Sequence, residues 1–300
     1  MLKVDHVTKY YGKNKAVDDL SFTVDEGEIF GLLGVNGAGK TTTFRMINGL
    51  LELSSGSITM DGKPIDYTMT DRLGFLTEER SLLTKLTVKE QVLYYGILKG
   101  MKEETILKKL DEWLAYFQIS DYKERKLKEL SKGNQQKVQF ITAIINEPKL
   151  LILDEPFSGL DPINVQMFMD VIRKLKKQKT SIIFSSHRME HVEMFCEKLV
   201  VLVKGKSVLS GELKQIKKDY RKKNIHVVCD FKEVEDLKKI KGVLDVVQNE
   251  NEWVIKIESD ENIQEVFDYV KKCKNVTKFA VEDATLNEIF LEKVGESYEN

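Results

Sequence analysis

The sequence predicts an α/β chain built on a parallel sheet, with a helical insertion and a small ferredoxin-like α+β unit at its C-terminal end. Three observations carry this. From Met1 to about Gly211, short runs that are almost wholly apolar alternate with amphipathic helical stretches; EIFGLLG at 28–34, KLLILDE at 149–155 and TSIIFSSH at 180–187 are examples. Strands of that kind suit a parallel sheet covered on both faces. Between about residues 76 and 147 the strand signal fades, and helical periodicity dominates in VKEQVLYYGILKG and ETILKKLDEWLAYF. Beyond the basic stretch LKQIKKDYRKKN at 213–224, the pattern restarts. Strand IHVVCDF, helix EVEDLKKI, strands VLDVVQN and EWVIKI, helix NIQEVFDYVKK and strand VTKFAVE follow in order, and TLNEIFLEKV closes the chain as a helix. Strand, helix, strand, strand, helix, strand is the ferredoxin-like order. The expected domains are 1–221, with its helical subdomain at about 76–147, and 222–300. The basic stretch reads as a solvated helix or linker.

Composition narrows the function. Among 300 residues, Lys+Arg number 47 and Asp+Glu 48, so the global basic excess of many nucleic-acid binders is missing and no nucleic-acid partner is expected. Cys196, Cys229 and Cys273 form no CxxC pair and suggest no disulfide framework. The opening MLKVDHVTKYYG alternates like a strand and has no apolar core of a signal peptide. The best apolar runs, LLIL at 150–153 and LVVLV at 199–203, fall far short of the roughly 20 residues a spanning helix needs. If the protein works at a membrane, a partner must supply the spans.

The run Gly34-Val35-Asn36-Gly37-Ala38-Gly39-Lys40-Thr41 fits G-x-x-x-x-G-K-[ST], with a strand before it and the helix TTTFRMINGLL after it. Glycines there let backbone N–H groups curl around phosphate oxygens, and the helix aims its positive end at the anion. Lys40 is expected to neutralise the β- and γ-phosphates, the Thr41 hydroxyl to ligate Mg²⁺, and Thr42 to complete the nucleotide-binding set. Strand LLIL then runs directly into Asp154 and Glu155. Two carboxylates at the end of a buried strand are costly unless they have work to do. Asp154 is expected to hold Mg²⁺, and Glu155 to orient the attacking water of phosphoryl transfer. A helix N-cap, Asp followed by Glu and Pro156, is the structural alternative.

Further along, Leu130-Ser131-Lys132-Gly133-Asn134-Gln135-Gln136-Lys137-Val138 resembles the signature of the ABC (ATP-binding cassette) family, usually LSGGQ followed by a Gln- and Arg-rich stretch. Ser158-Gly159-Leu160-Asp161 resembles the family's D-loop, His187 its switch histidine and Tyr11 the aromatic that stacks on adenine. Taken singly, Ser131 reads as a helix cap, His187 as a loop histidine and Tyr11 as a strand-end aromatic; it is their joint order that resembles the family. The resemblance covers residues 1 to about 211. It implies a P-loop NTPase cassette that binds ATP with Mg²⁺. It also implies a second cassette, homo- or heterodimeric, whose Ser131, Gly133 and Asn134 face the γ-phosphate, and an integral-membrane permease at whose cytoplasmic side the chain sits. Two departures stand out: Lys132 and Asn134 replace Gly and Gln, and Glu78 in RLGFLTEER occupies the Q-loop place of Gln, where it would face Mg²⁺. Both look like the NatA subgroup, linked to sodium or drug extrusion, as does the C-terminal TLNEIFLEKVGE. The expectation is therefore the ATP-hydrolysing subunit of an exporter. The alternative is an ABC ATPase not coupled to transport; the translation type would carry two cassettes in one chain, and the DNA-repair type a long coiled coil or zinc cysteines. For docking the permease, the helical insertion offers Leu82, Leu83, Leu86, Tyr94 and Tyr95. For the unit after residue 222, a regulatory or dimer-supporting role is expected.

Overall fold

The computed structural model describes residues 1–79, 82–231, 234–249 and 251–299. Arg80, which ends RLGFLTEER, and Glu233, which begins the expected EVEDLKKI helix, lie outside the described residues. The chain divides into two compact units, Met1–Ser210 and Gly211–Asn300.

In the first unit, β1 (Leu2–Tyr11) and β2 (Asn14–Val24) form an antiparallel pair, and β3 (Ile29–Gly34) leads through a loop into α1 (Lys40–Ile47). Strands β4 (Ser55–Met60) and β5 (Lys63–Pro64) follow, then β6 (Leu73–Leu76). Helices α2 (Val88–Leu98), α3 (Glu103–Tyr116) and α4 (Lys132–Ile144) make up the insertion. The core resumes with β7 (Leu150–Asp154), α5 (Pro162–Lys177), β8 (Ser181–Ser185), α6 (Met189–Phe195), β9 (Lys198–Val203) and β10 (Lys206–Glu212).

Two sheets result. One has the order β2-β1-β4-β5, with antiparallel pairings; the other has the order β10-β9-β3-β8-β7-β6. In the second sheet, β9, β3, β8, β7 and β6 pair in parallel. Every residue of β7 and β8 is buried, which is why Leu150–Leu153 and Ile182–Phe184 read as unbroken apolar runs. A single core joins the sheets: Leu2, Val4 and Leu20 of the antiparallel sheet pack with Phe44 and Ile47 of α1 and with Leu32, Ile152 and Val200 of the parallel one.

The insertion is held by its own apolar faces. Ile106, Leu110 and Leu114 of α3 are buried, and Phe140 stacks on Phe168 of α5 with centroids 4.4 Å apart. Helix α2 begins with a capping box in which Thr87 accepts from the Glu90 N–H and the Glu90 carboxylate accepts from the Thr87 N–H. Tyr94 and Leu83 remain exposed, at 48% and 43%, while Leu82, Leu86 and Tyr95 are half-buried.

The second unit opens with α7 (Leu213–Asp219), followed by β11 (Lys223–Asp230), α8 (Val234–Lys238), β12 (Val243–Asn249), β13 (Glu252–Ile257), α9 (Ile263–Val270), β14 (Lys274–Asp283) and α10 (Leu286–Glu299). Its sheet is wholly antiparallel in the order β12-β13-β11-β14, the arrangement a ferredoxin-like unit requires. Ile225, Val227, Ile255, Val266 and Val270 form its core. The sequence reading set the division at 221/222, whereas the contacts divide the chain at 210/211 and place α7, with Leu213 and Ile216 buried, in the second unit. No helix of the described residues is long and apolar enough to cross a membrane.

Candidate nucleotide site

The loop between β3 and α1 can take its shape only with glycine at two points. Gly34 has φ +152°, and a Cβ there would lie 2.5 Å from the Leu202 carbonyl oxygen; Gly39 has φ +107°, and a Cβ there would lie 2.6 Å from that of Ala16. The ammonium of Lys40 lies back across the loop, donating to the Gly34 carbonyl at 2.6 Å and the Val35 carbonyl at 3.3 Å. A cleft of about 510 Å³ opens over this loop. It is lined by residues 36–42, by Glu78 and Asp154, and by Asn14, Lys15, Ala16 and Lys204. The sequence reading missed Lys15 and Lys204, which add positive charge to an anion cradle; nothing in their local pattern marks them, because they come from β2 and the turn after β9. The cleft lies at the carboxyl ends of β3 and β7, where open α/β sheets place their ligands. A second cleft, of about 440 Å³, borders Leu150 and Ser181, the first residues of β7 and β8.

Asp154 ends β7 directly opposite Ser185 of β8, whose hydroxyl donates to Asp154 Oδ1 at 2.5 Å. Burial raises the Asp154 pKa, as does the facing Glu78 carboxylate, against the Ser185 bond and the Lys40 charge. Ser185 is a site residue that the sequence reading passed over. A third, smaller pocket of about 220 Å³ is lined by Thr41, Glu78 and Asp154 together with Arg45, Phe75, Thr77 and Glu79. The three residues expected at the metal are thus brought together. Their donors are hard oxygens, as Mg²⁺ requires, and Mg²⁺ is usually held by one or two carboxylates plus the phosphates of its substrate. No cluster of three His, Cys, Asp or Glu among the described residues forms a cage without such phosphates.

Glu155 follows in left-handed backbone, φ +49°, which is uncommon for a residue with a Cβ. Its N–H donates to the Ser185 carbonyl and hydroxyl, and its buried carboxylate lies 2.9 Å from Nδ1 of the exposed His187. Burial raises the Glu155 pKa, and His187 opposes that rise.

The remaining expected residues sit elsewhere. Ser131 caps α4 by accepting from the Asn134 N–H at 3.3 Å, and Gly133 lies in its first turn near Leu160. Asp161 caps α5 by accepting from the Asn164 N–H at 2.9 Å, which also lowers its pKa. These two helix starts carry Ser131, Gly133, Asn134 and Asp161 outside the lining of the cleft. Tyr11 is about half exposed at the end of β1, with the Lys9 ammonium 5.6 Å from its ring, and it too lies outside that lining.

Comparison with known proteins agrees with this geometry. The ABC transporter family model matches residues 17–158, and the model of the C-terminal domain of DrrA1-3-like ATP-binding proteins matches residues 211–294. The ABC transporter ATP-binding protein YhaQ of Bacillus subtilis is 48% identical over 299 residues, covering 100% of both chains. The ABC transporter ATP-binding protein NatA of Bacillus subtilis is 36% identical, over 71% of this chain and 89% of its own length. A bacterial ABC transporter cassette solved as a dimer superposes with a TM-score of 0.66 and 26% identity, covering 71% of this chain and 99% of that one. A phosphate-cradling loop, paired carboxylates at the end of a buried strand and a relative matched along its whole length place the chain among the ABC transporter ATP-binding proteins, the subunits that bind and hydrolyse ATP to energise a membrane transporter.

Proposed function

We propose that the chain is the motor of an exporter, with its chemistry carried by the residues at the carboxyl ends of β3 and β7. The convergence of Lys40, Thr41, Glu78 and Asp154 on one cleft is the observation that supports this most. Lys40 leaves the loop carbonyls and pairs with the β- and γ-phosphates, exchanging two neutral acceptors for charged ones. Thr41, Asp154 and Glu78 hold Mg²⁺, which when bound offsets phosphate charge and the repulsion between the two carboxylates. Glu155 accepts a hydrogen bond from the attacking water and aims it at the γ-phosphorus, with His187 fixing its carboxylate. Tyr11 lies against the adenine.

Ser131, Gly133 and Asn134 act on the ATP of a second cassette. Their helix start offers N–H donors and a dipole to a γ-phosphate, and their position outside this chain's own cleft supports that assignment. Asp161 belongs to the same contact. An integral-membrane permease docks on the exposed Leu83 and Tyr94 of the insertion, in a helix-in-groove manner, and holds the chain at the cytoplasmic face of the membrane. The unit after α7 regulates or supports dimerisation. Export rather than import is supported by the likeness to the lipopolysaccharide export system ATP-binding protein LptB of Haemophilus influenzae, 34% identical over 77% of this chain and 99% of its own length. Copurification of the tagged chain with a membrane protein, followed by transport assays in vesicles, tests the reading. ATP-dependent efflux is expected; an ATPase that associates with no membrane protein would overturn it.

A further inference from the structure

We propose that Gln139 is a positioning residue that couples the Glu78 loop to the helix beginning at Ser131; this rests on the roles proposed above for those two residues. Gln139 lies on α4 about two turns beyond Ser131, and it is 5% exposed. Its Nε2 donates to both the carbonyl and the hydroxyl oxygen of Thr77, each at 3.0 Å. Thr77 directly follows β6, and its hydroxyl donates to the Glu79 carbonyl at 2.5 Å. That bond closes a turn around Glu78, which lines the phosphate cleft. One amide of α4 therefore grips the turn that aims Glu78.

A second amide shows the same logic. Gln136, about one turn earlier on the same face of α4, donates through Nε2 to the Pro156 carbonyl at 3.1 Å. Pro156 directly follows Glu155. Strands β6 and β7 are parallel neighbours, so the two glutamines tie one helix to the ends of both strands that carry the working carboxylates.

What separates Gln139 from an ordinary packing residue is its other atom. Gln139 Oε1 is buried without a hydrogen-bond partner, an arrangement that opposes stability. A leucine would fill the space and remove this orphan acceptor, while withdrawing the donor from the two Thr77 oxygens. The amide supplies what leucine cannot: a directional N–H grip on Thr77. As Glu78 closes on the phosphates, the Thr77 turn moves with it, Gln139 carries the displacement into α4, and Ser131 comes into register with the ATP of the second cassette.

The test uses the full chain with Gln139→Leu and Gln139→Glu, each also in a Glu155→Gln background. Three quantities are read: fluorescent ATP-analogue affinity, Mg²⁺-ATPase kcat, and ATP-induced dimer by size exclusion. In both variants, analogue affinity is expected to stay within about twofold of wild type, while kcat falls and the ATP needed for dimerisation rises by about tenfold, within the usual range for a coupling residue. Gln139→Leu is expected to melt close to wild type, because removal of the orphan acceptor offsets withdrawal of the donor from Thr77. Gln139→Glu keeps the shape and presents an acceptor to the Thr77 carbonyl, so it reports on the grip rather than on packing. Wild-type kcat and dimerisation in either variant would overturn the proposal, as would losses of analogue affinity and melting temperature that match the loss of kcat. A wild-type chain that does not dimerise on ATP would instead overturn the reading of the site itself, and the proposal with it.

Discussion

The Glu155 carboxylate and the His187 imidazole meet at 2.9 Å, although the first is buried and the second largely exposed. A buried carboxylate held at one oxygen by an exposed ring is well placed to orient water. Glu155→Gln keeps the size and removes the charge. ATP binding is expected to persist, hydrolysis to fall by roughly 100-fold or more, and an ATP-bound dimer to accumulate on size exclusion. His187→Ala should lower kcat with less effect on ATP affinity. Wild-type turnover in Glu155→Gln would remove Glu155 from its role.

Lys40 donates to two loop carbonyls that keep other lone pairs and solvent within reach, so Lys40→Ala is expected to cost the fold little. Its loss should fall on the nucleotide, where a charge-assisted contact to phosphate disappears; ATP affinity is expected to drop by about tenfold or more. Isothermal titration on a variant with an unchanged melting curve measures this.

Asp154 and Glu155 both have pKa values raised by burial. The folded chain therefore holds protons that the unfolded chain releases. The contribution of these two groups to stability is greatest below the ordinary carboxylate pKa and declines as pH rises through the window up to the raised folded values. Asp154→Asn removes one of these groups while still accepting from Ser185. It should flatten the decline and raise the melting temperature at neutral pH, by about 2–4 °C for each kcal/mol recovered. Melting curves across pH for both proteins would show it; a melting temperature lowered throughout would contradict it.

Glu78 faces Asp154 across the small pocket and raises its pKa. Glu78→Gln is expected to stay active, to bind ATP better without Mg²⁺, and to need more Mg²⁺ for half-maximal hydrolysis. Mg²⁺ titrations of ATPase activity decide it, and abolished activity would show that the carboxylate itself is required.

Leu83 and Tyr94 present apolar surface on the insertion. Leu83→Asp and Tyr94→Asp should leave ATP hydrolysis by the isolated chain near wild type while reducing permease capture and transport. Normal transport would place the docking surface elsewhere.

How far the sequence could be read depended on where each signal lay. β7 and β8 were legible because they are buried on both faces, so Leu150–Leu153 and Ile182–Phe184 are all apolar. The phosphate loop was legible because its glycines answer to local sterics. The separate antiparallel sheet was not, since β1 alternates like any half-buried strand and its pairing carries several register shifts. Ser185 reaches Asp154 only through a pairing between strands about 30 residues apart in sequence. Gln139 sits on an amphipathic helix where a polar residue reads as surface, yet it is buried by the turn after β6. The division at 210/211 escaped because α7 is basic on its exposed side and buries only Leu213 and Ile216.

The left-handed backbone at Glu155 has a bearing on protein engineering. That conformation costs a residue with a Cβ roughly 1–2 kcal/mol and costs glycine almost nothing. A glycine at 155 would also withdraw a carboxylate that burial disfavours. A library of this chain selected only for resistance to heat or proteolysis would therefore be enriched in Glu155→Gly, and its winners would be dead motors. Selection for robustness needs a turnover screen beside it, because at this position the residue the backbone favours and the one proposed to orient water are different.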